Sequence, residues 1–542
     1  MRARATIEGK PARLFSVALV FCSLAGINPV KAQTPVLPCN ESGIGTVVLD
    51  AEGSPATIVE VTEENTVTVP FCLVKIRIPE AINIWVGLPM EGQWNGRWQS
   101  MGGGGYAGSV NVPTPALNGG YAAATTDTGH TAREGGSFGM LEPGVPNVGL
   151  QQDFAYRSEH LMAVLGKQLV EAFYGQQPVY SYWNGCSTGG RQGLRMAQDY
   201  PDDYDGVLAG APAIHWDRFQ ATHLWHPLVM LQENGGPIGG GDRDVLAAKQ
   251  QLATSKAIAA CDTIDGVEDG VINDPLMCAY SAAADADLTS SDCTAGNAAC
   301  LTPAEASAID LMWQGPVACA DGGVDCIVPE TANRDLSGQN IRLWYGQAYG
   351  TPLTPLGGVN PFFIGTEQPK YWVYFDPAWD WQTLNYSNYP QFFSDTVDKV
   401  GPMMASDNPD LSAFRASGGK LLMYHGWSDP LIMPEGSIDY YNRVNETMSG
   451  GNYDQTRDFA RLFMAPGVGH CAGGDGPQPQ NWFEALVNWV EAGEVPESIL
   501  AVKQLDNGST QSRPLCPHPA KAQWTGQGSS DDTANYACVV PE

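Results

Sequence analysis

Between residues 44 and 125 the apolar positions fall in short runs separated by turn residues. Runs at 46–49, 66–69, 72–78 and 82–88 each predict a β-strand, and 98–101 predicts another that ends in Gly102-Gly103-Gly104-Gly105. The period then changes. Over 153–173, Leu161, Val164, Leu165, Leu169 and Val170 recur at helical spacing and predict one apolar stripe. A strand over 179–183, a tight turn, a helix over about 191–199 and a strand near 204–208 follow, which is the cadence of a parallel α/β unit.

That cadence stops after Pro212. Residues 213–408 are rich in Trp, Asp, Gly and Cys and hold few clean strand–helix–strand units. It resumes with a buried-type strand at 420–424, another at 461–464 and an apolar closing helix over 482–490. The simplest organisation is one α/β catalytic domain in two pieces, 33–212 and 409–542, with a lid domain inserted over 213–408.

The first 32 residues read as a secretory leader. Arg2, Arg4, Lys10 and Arg13 precede an apolar run at 14–24, and Val30-Lys31-Ala32 offers a small-residue cleavage site. No later run approaches the ~20 apolar residues that span a bilayer. The leader carries five bases and one acid, so its removal takes the formal charge from −30 to −34. Such acidity disfavours nucleic acid and anionic membranes as partners. Thirteen cysteines become twelve when Cys22 leaves, and an even number in an exported chain points to disulfides. The absence of any C-x-x-C pair removes the usual zinc and redox readings.

The chemistry concentrates in two places. Gly185-Cys186-Ser187-Thr188-Gly189 matches the G-x-S-x-G turn that exposes a nucleophilic serine between a strand and a helix. Gly135-Gly136-Ser137-Phe138-Gly139 matches too, but no strand precedes it, so it reads as a loop. A serine needs a base in contact and a carboxylate to orient that base. His470, in Gly469-His470-Cys471 after the 461–464 strand, is the candidate base; Asp429, just after the 420–424 strand, is the candidate acid, with Asp205 and Asp439 behind it. Thr188 N–H and the N–H of Gly104 or Gly105 are the candidate oxyanion donors. A Cys186–Cys471 disulfide would pin serine and histidine loops together.

In the insertion, Asp262, Asp265 and Asp269 surround a glycine turn, and oxygen ligands at that density suit a hard cation such as Ca²⁺. A Cys261–Cys278 disulfide would stiffen this loop.

Taken together, the glycine loop, Gly185-Cys186-Ser187-Thr188-Gly189-Gly190-Arg191, the segment from Tyr204-Asp205-Gly206 to Pro212, Asp429 and His470-Cys471 resemble the tannase/feruloyl esterase family of α/β-hydrolases. The resemblance covers most of the mature chain, and the family also contains mono(2-hydroxyethyl) terephthalate hydrolase. It implies an α/β-hydrolase fold, a large inserted lid and a serine carboxylesterase acting on a small-molecule aromatic ester. It also implies a structural Ca²⁺ held by Asp262, Asp265 and Asp269 with the carbonyls of Val267 and Val271. Disulfides Cys261–Cys278 and Cys516–Cys538 are implied as well, leaving Cys39–Cys72 as the remaining long pair; Cys293, Cys300, Cys319 and Cys326 can pair in three ways.

The lid aromatics Trp344, Tyr345, Trp372, Phe375, Trp379 and Trp381 suit either an aromatic acyl group or the lid's own core. Thr188 resembles the feruloyl-esterase-like members, where the terephthalate enzyme carries glutamate, and no arginine can be placed for a terephthalate carboxylate. Feruloyl and galloyl esters therefore rank first. Acyl transfer or peptide hydrolysis on the same triad, and a non-catalytic Ca²⁺-dependent binding scaffold, are the alternatives.

Overall fold

The computed structural model describes residues 34–79, 81–90 and 92–541, so the leader expected over 1–32, with Cys22, lies outside the described residues. Among the described residues the main sheet is built from β1 (Thr57–Glu64), β2 (Phe71–Ile78), β3 (Ile82–Pro89), β4 (Arg97–Met101), β5 (Ala122–Thr126), β6 (Tyr180–Cys186), β7 (Gly206–Gly210), β8 (Lys420–Gly426) and β9 (Ala460–Ala465). Their spatial order is β9-β8-β7-β6-β4-β5-β3-β2-β1. The run from β9 to β5 is parallel, and β3, β2 and β1 add antiparallel strands beyond β5. This is the α/β-hydrolase arrangement.

Residue alternation explains how both faces are covered. On β8, Leu421 and Met423 join a core with Leu161, Leu165 and Leu169 of α1 (Ser158–Tyr174) and Leu194 and Met196 of α2 (Thr188–Asp199). Leu422 and Tyr424 point the other way, toward Leu486 and Trp489 of the closing helix, Trp482–Ala492. A strand covered on both faces is apolar throughout rather than alternating, which is why 420–424 reads so clearly as a strand.

Two expected strands do not form. Residues 44–46 make a 3-10 turn, pinned where Asn40 Oδ1 accepts the Gly43 N–H at 2.8 Å. Residues 66–69 form the bend that returns β1 to β2. Four β-prone residues are too few to resist a chain reversal demanded by the long strands on either side. The strand that does form, β1, interleaves Ile58 and Val61 with Glu60, Glu63 and Glu64 on the sheet's edge, where charged side chains discourage further pairing. The 153–173 helix begins with a π-turn at Asp153–Arg157, and Val164 on its stripe is only half-buried.

Residues 211–419 connect β7 to β8. They contain α3 (Trp216–His223), α4 (Trp225–Asn234), α5 (Arg243–Cys261), α6 (Pro303–Gln314) and α7 (Tyr389–Met404). Their core, around Trp225, Met312, Tyr389 and Phe393, is continuous with Tyr106, Phe138 and Phe154 from the sheet side. The described residues accordingly form one compact unit. Twelve cysteines form six disulfides, and the four whose pairing was open join neighbours, as Cys293–Cys300 and Cys319–Cys326. Among the described residues no helix is long and apolar enough to cross a membrane.

Candidate active site

Ser187 stands between the end of β6 and the first turn of α2, with φ 63° and ψ −125°. A non-glycine residue held there stores roughly 1–3 kcal/mol of backbone strain, and its surroundings must over-determine it. They do. The Ser187 N–H donates to Gly210 O at 2.9 Å, and its carbonyl accepts from Arg191 and Ala213 N–H, both at 3.1 Å. The turn closes because Gly185 and Gly189 have no side chains: a Cβ on Gly185 would lie 2.4 Å from Gly189 O. The other serine match behaves differently. Ser137 lies in a 3-10 segment and donates to Glu134 O at 2.6 Å.

The disulfide Cys186–Cys471, with Cα atoms 5.9 Å apart, joins the serine turn to the loop after β9. His470 Nδ1–H donates to Asp429 Oδ2 at 2.7 Å. Asp429, on the loop after β8, is fully enclosed: its Oδ1 accepts the Leu431 and Ile432 N–H at 2.8 and 3.0 Å. Burial pushes its carboxyl up, but His470 and His425 beside it outweigh that and hold it well below the usual carboxylate range. Since an ionised carboxylate only accepts, the proton of His470 sits on Nδ1 and Nε2 is left as a lone pair.

A second histidine, which the sequence placed only after a strand, meets Asp429. His425 is buried, its Nε2–H donates to Asp429 Oδ2 at 3.1 Å, and its Nδ1 accepts from the Ser437 hydroxyl at 2.8 Å. It bonds the same carboxylate oxygen as His470. The available signal was its place four residues before Asp429, at the end of the same strand. The two other acids considered are engaged elsewhere: Asp205 Oδ2 accepts the Ser181 N–H at 2.7 Å, and Asp439 pairs with Arg334 and Arg443.

Ser187 and His470 line one cavity of about 470 Å³, together with Gly104, Gly105 and Thr188. Ser187 Oγ makes no hydrogen bond among the described residues; the disulfide brings it and the imidazole to the same wall. The glycine loop divides its work. Gly102 N–H donates to Asn184 O at 3.0 Å and Gly103 N–H to Gln192 Oε1 at 2.9 Å, which fixes the loop. Among the described residues the N–H groups of Gly104 and Gly105 have no protein acceptor. The Thr188 hydroxyl donates to Gly105 O at 2.6 Å, so loop and serine turn are tied together beside the cavity. Behind it, Gln192 donates in turn to buried Glu159, whose carboxyl burial pushes up to about 7 despite nearby Arg191.

The cavity's aromatic walls are Trp216 and Phe219 on α3 and Phe362 and Phe363 at the start of the short helix Phe363–Gln368. None of the six lid aromatics singled out from sequence lines it. Trp372 packs edge-on to Phe138 and donates to Gly136 O at 2.9 Å; Trp344 lies against His215; Trp379 stacks with Tyr374 and Phe392. Trp344, Tyr345 and Trp372 belong to the core of the insertion, and Trp379 and Trp381 pack half-buried against it. No Lys or Arg lines the cavity.

The tannase and feruloyl esterase family model matches residues 68–539. The chain belongs to this family. It is 35% identical over 488 residues to a probable feruloyl esterase of Arthroderma benhamiae, with 87% of this chain and 86% of that protein covered. It is 30% identical over 510 residues to the mono(2-hydroxyethyl) terephthalate hydrolase of Piscinibacter sakaiensis, covering 84% and 81%. Feruloyl esterase B from Aspergillus oryzae superposes with a TM-score of 0.76 at 28% identity, covering 89% of this chain and 97% of that one. The protein is thus a carboxylic ester hydrolase of this family.

The acidic loop lies in the first third of the insertion, against the C-terminal strands. Asp262 accepts the Asp269 and Gly270 N–H at 3.2 and 2.8 Å, and Asp269 pairs with Arg513 at 2.8 Å. Burial, reinforced by Asp269 and Asp262, pushes the Asp265 carboxyl up to about 6. Three acids repelling one another in a half-buried loop are the donor chemistry a dication relieves, so the residues fit Ca²⁺. As placed, no three His, Cys, Asp or Glu side chains among the described residues converge on a single point.

Proposed function

We propose that the protein is an exported serine esterase that hydrolyses esters of hydroxylated aromatic acids, feruloyl or galloyl esters, through an acyl-enzyme. The observation that carries this reading is one cavity in which Ser187, the Asp429-oriented His470 and two free glycine N–H groups face aromatic walls with no cationic side chain. Ser187 Oγ attacks the ester carbonyl while His470 Nε2 takes its proton. Asp429 holds the imidazole and stabilises its positive charge. The Thr188 N–H at the start of α2, with the N–H of Gly104 or Gly105, receives the oxyanion. The alcohol leaves with the proton from His470; water, deprotonated by His470, then releases the acid and frees Ser187. Aromatic walls suit the acyl ring, and the lack of a cation argues against an acyl group bearing a second carboxylate. Residues 213–408 act as the lid that supplies those walls.

The six disulfides support an oxidising, extracytoplasmic location. A structural Ca²⁺ would be held by Asp262, Asp265 and Asp269 with the carbonyls of Val267 and Val271, bracing the lid against the C-terminal strands. Elemental analysis should find about one Ca²⁺ per chain, and chelation should lower the melting temperature; a metal-free protein with an unchanged melt would count against it. For the reaction, methyl ferulate, methyl gallate and mono(2-hydroxyethyl) terephthalate are the test panel. The first two should be hydrolysed best, with turnover falling at least ~10³-fold in Ser187→Ala. Activity that survives that substitution, or terephthalate turned over fastest, would sink the reading.

A further inference from the structure

Helix α3 presents Trp216, Phe219, Gln220 and His223 to the cavity, positions 0, 3, 4 and 7 of one helical face. Two of the four are expected of an apolar wall. The others are not: Gln220 and His223 are each only 2% exposed, and a buried polar atom without a partner costs about 1–3 kcal/mol. Three atoms on this face lack a partner within the protein: Trp216 Nε1, Gln220 Oε1 and His223 Nδ1. His223 spends its other nitrogen on Leu431 O at 2.7 Å, so Nδ1 is left as an acceptor. The set is an indole donor, an imidazole acceptor and, between them in sequence, an amide on a cavity-lining residue that can turn oxygen or nitrogen toward the cavity about its last bond.

The chemistry complementary to that set is a neutral group that both donates and accepts. A phenolic hydroxyl does so; a second carboxylate only accepts, and it would bring an uncompensated charge beside His223 and Gln220. Resting on the esterase reading above, we infer that Gln220 is the specificity-determining residue of the acyl pocket, its amide taking the ring hydroxyl of a hydroxylated aromatic acyl group. Ring hydroxylation is then read by α3, while Phe219, Phe362 and Phe363 hold the ring without regard to its substituents.

The test compares kcat/KM for methyl 4-hydroxycinnamate and methyl cinnamate, which differ by that hydroxyl alone, in wild type, Gln220→Leu and Gln220→Met. A site built to bond a hydroxyl rejects its deletion, so wild type should favour the hydroxylated ester by about 10–100-fold. Both variants should bring the ratio to within about threefold of unity by losing far more on the hydroxylated ester than on its parent, with melting temperatures no lower than wild type. A wild-type ratio near unity overturns the inference whatever the variants do. An equal loss on both esters overturns it too, because the amide is then part of the fold. Should wild type hydrolyse neither ester, the esterase reading itself fails and the inference goes with it.

Discussion

Asp429→Asn isolates what orients the base. The carboxylate of Asp429 accepts four N–H groups: Leu431 and Ile432 on one oxygen, His470 and His425 on the other. An asparagine has one oxygen for these four donors, and its NH₂ must face two of them whichever way it is turned. Facing the backbone, it confronts two N–H groups that cannot change. Facing the imidazoles, it meets rings that can each move a proton to the other nitrogen, so this orientation wins. His425 then donates from Nδ1 to Ser437, and His470 carries its proton on Nε2, the atom proposed to accept from Ser187. The fold keeps nearly all its hydrogen bonds while the base is switched off. In a serine protease, an Asp→Asn exchange that leaves the geometry intact costs about 10⁴ in turnover, about 5 kcal/mol at roughly 1.36 kcal/mol per tenfold. The same loss is expected here, measured as kcat on methyl ferulate, with a melting temperature within a few degrees of wild type. A kcat within tenfold of wild type would refute the assignment of Asp429.

Cys186→Ala/Cys471→Ala opens a crosslink between residues 285 apart. Chain entropy sets a ceiling of about 5 kcal/mol on the stability lost; because the parallel run β6-β7-β8-β9 already holds both loops at one edge of the same sheet, kcat should fall more steeply than the melting temperature, and an unchanged kcat would contradict the positional role. Glu159→Gln should change the pH dependence of stability. Burial raises the Glu159 carboxyl to about 7 against an unfolded value near ~4.3, so the folded chain binds the proton more tightly and stability falls as pH rises from about 4.3 through 7, by roughly 3 kcal/mol. Urea melts at pH 5 and pH 8 should differ less in the variant than in wild type by about that amount; an equal difference in both would place the proton elsewhere. Gly185→Ala puts a Cβ 2.4 Å from Gly189 O, backbone that cannot move aside, so the variant should lose at least ~1–3 kcal/mol in a denaturant melt and most of its turnover; wild-type behaviour in both would refute the close packing of that turn.

The amino-acid order alone determined those features whose cause is local. A strand buried on both faces needs a near-continuous apolar run, so 421–424 was legible, and the alternation at 82–86 marked a strand with one buried face; a nucleophile turn needs small residues on both sides of the serine, so Ser187 stood out from Ser137 once the strand before it was weighed. Cysteines adjoining serine and histidine marked two loops that must meet. Where the cause is distant, the sequence was mute. Whether residues 46–49 and 66–69 extend or turn depends on what β1 and β2 require around them. Whether a tryptophan of the insertion packs inward or faces substrate depends on its distant neighbours, so the sequence left both readings open for Trp344, Trp372 and Trp379; the first two are core and the third packs half-buried against it. His425 and Gln220 gained their places only when β8 and α3 were set against the serine turn. A side chain's chemistry is written in its identity, but the partner it meets, or lacks, is a property of the closed chain.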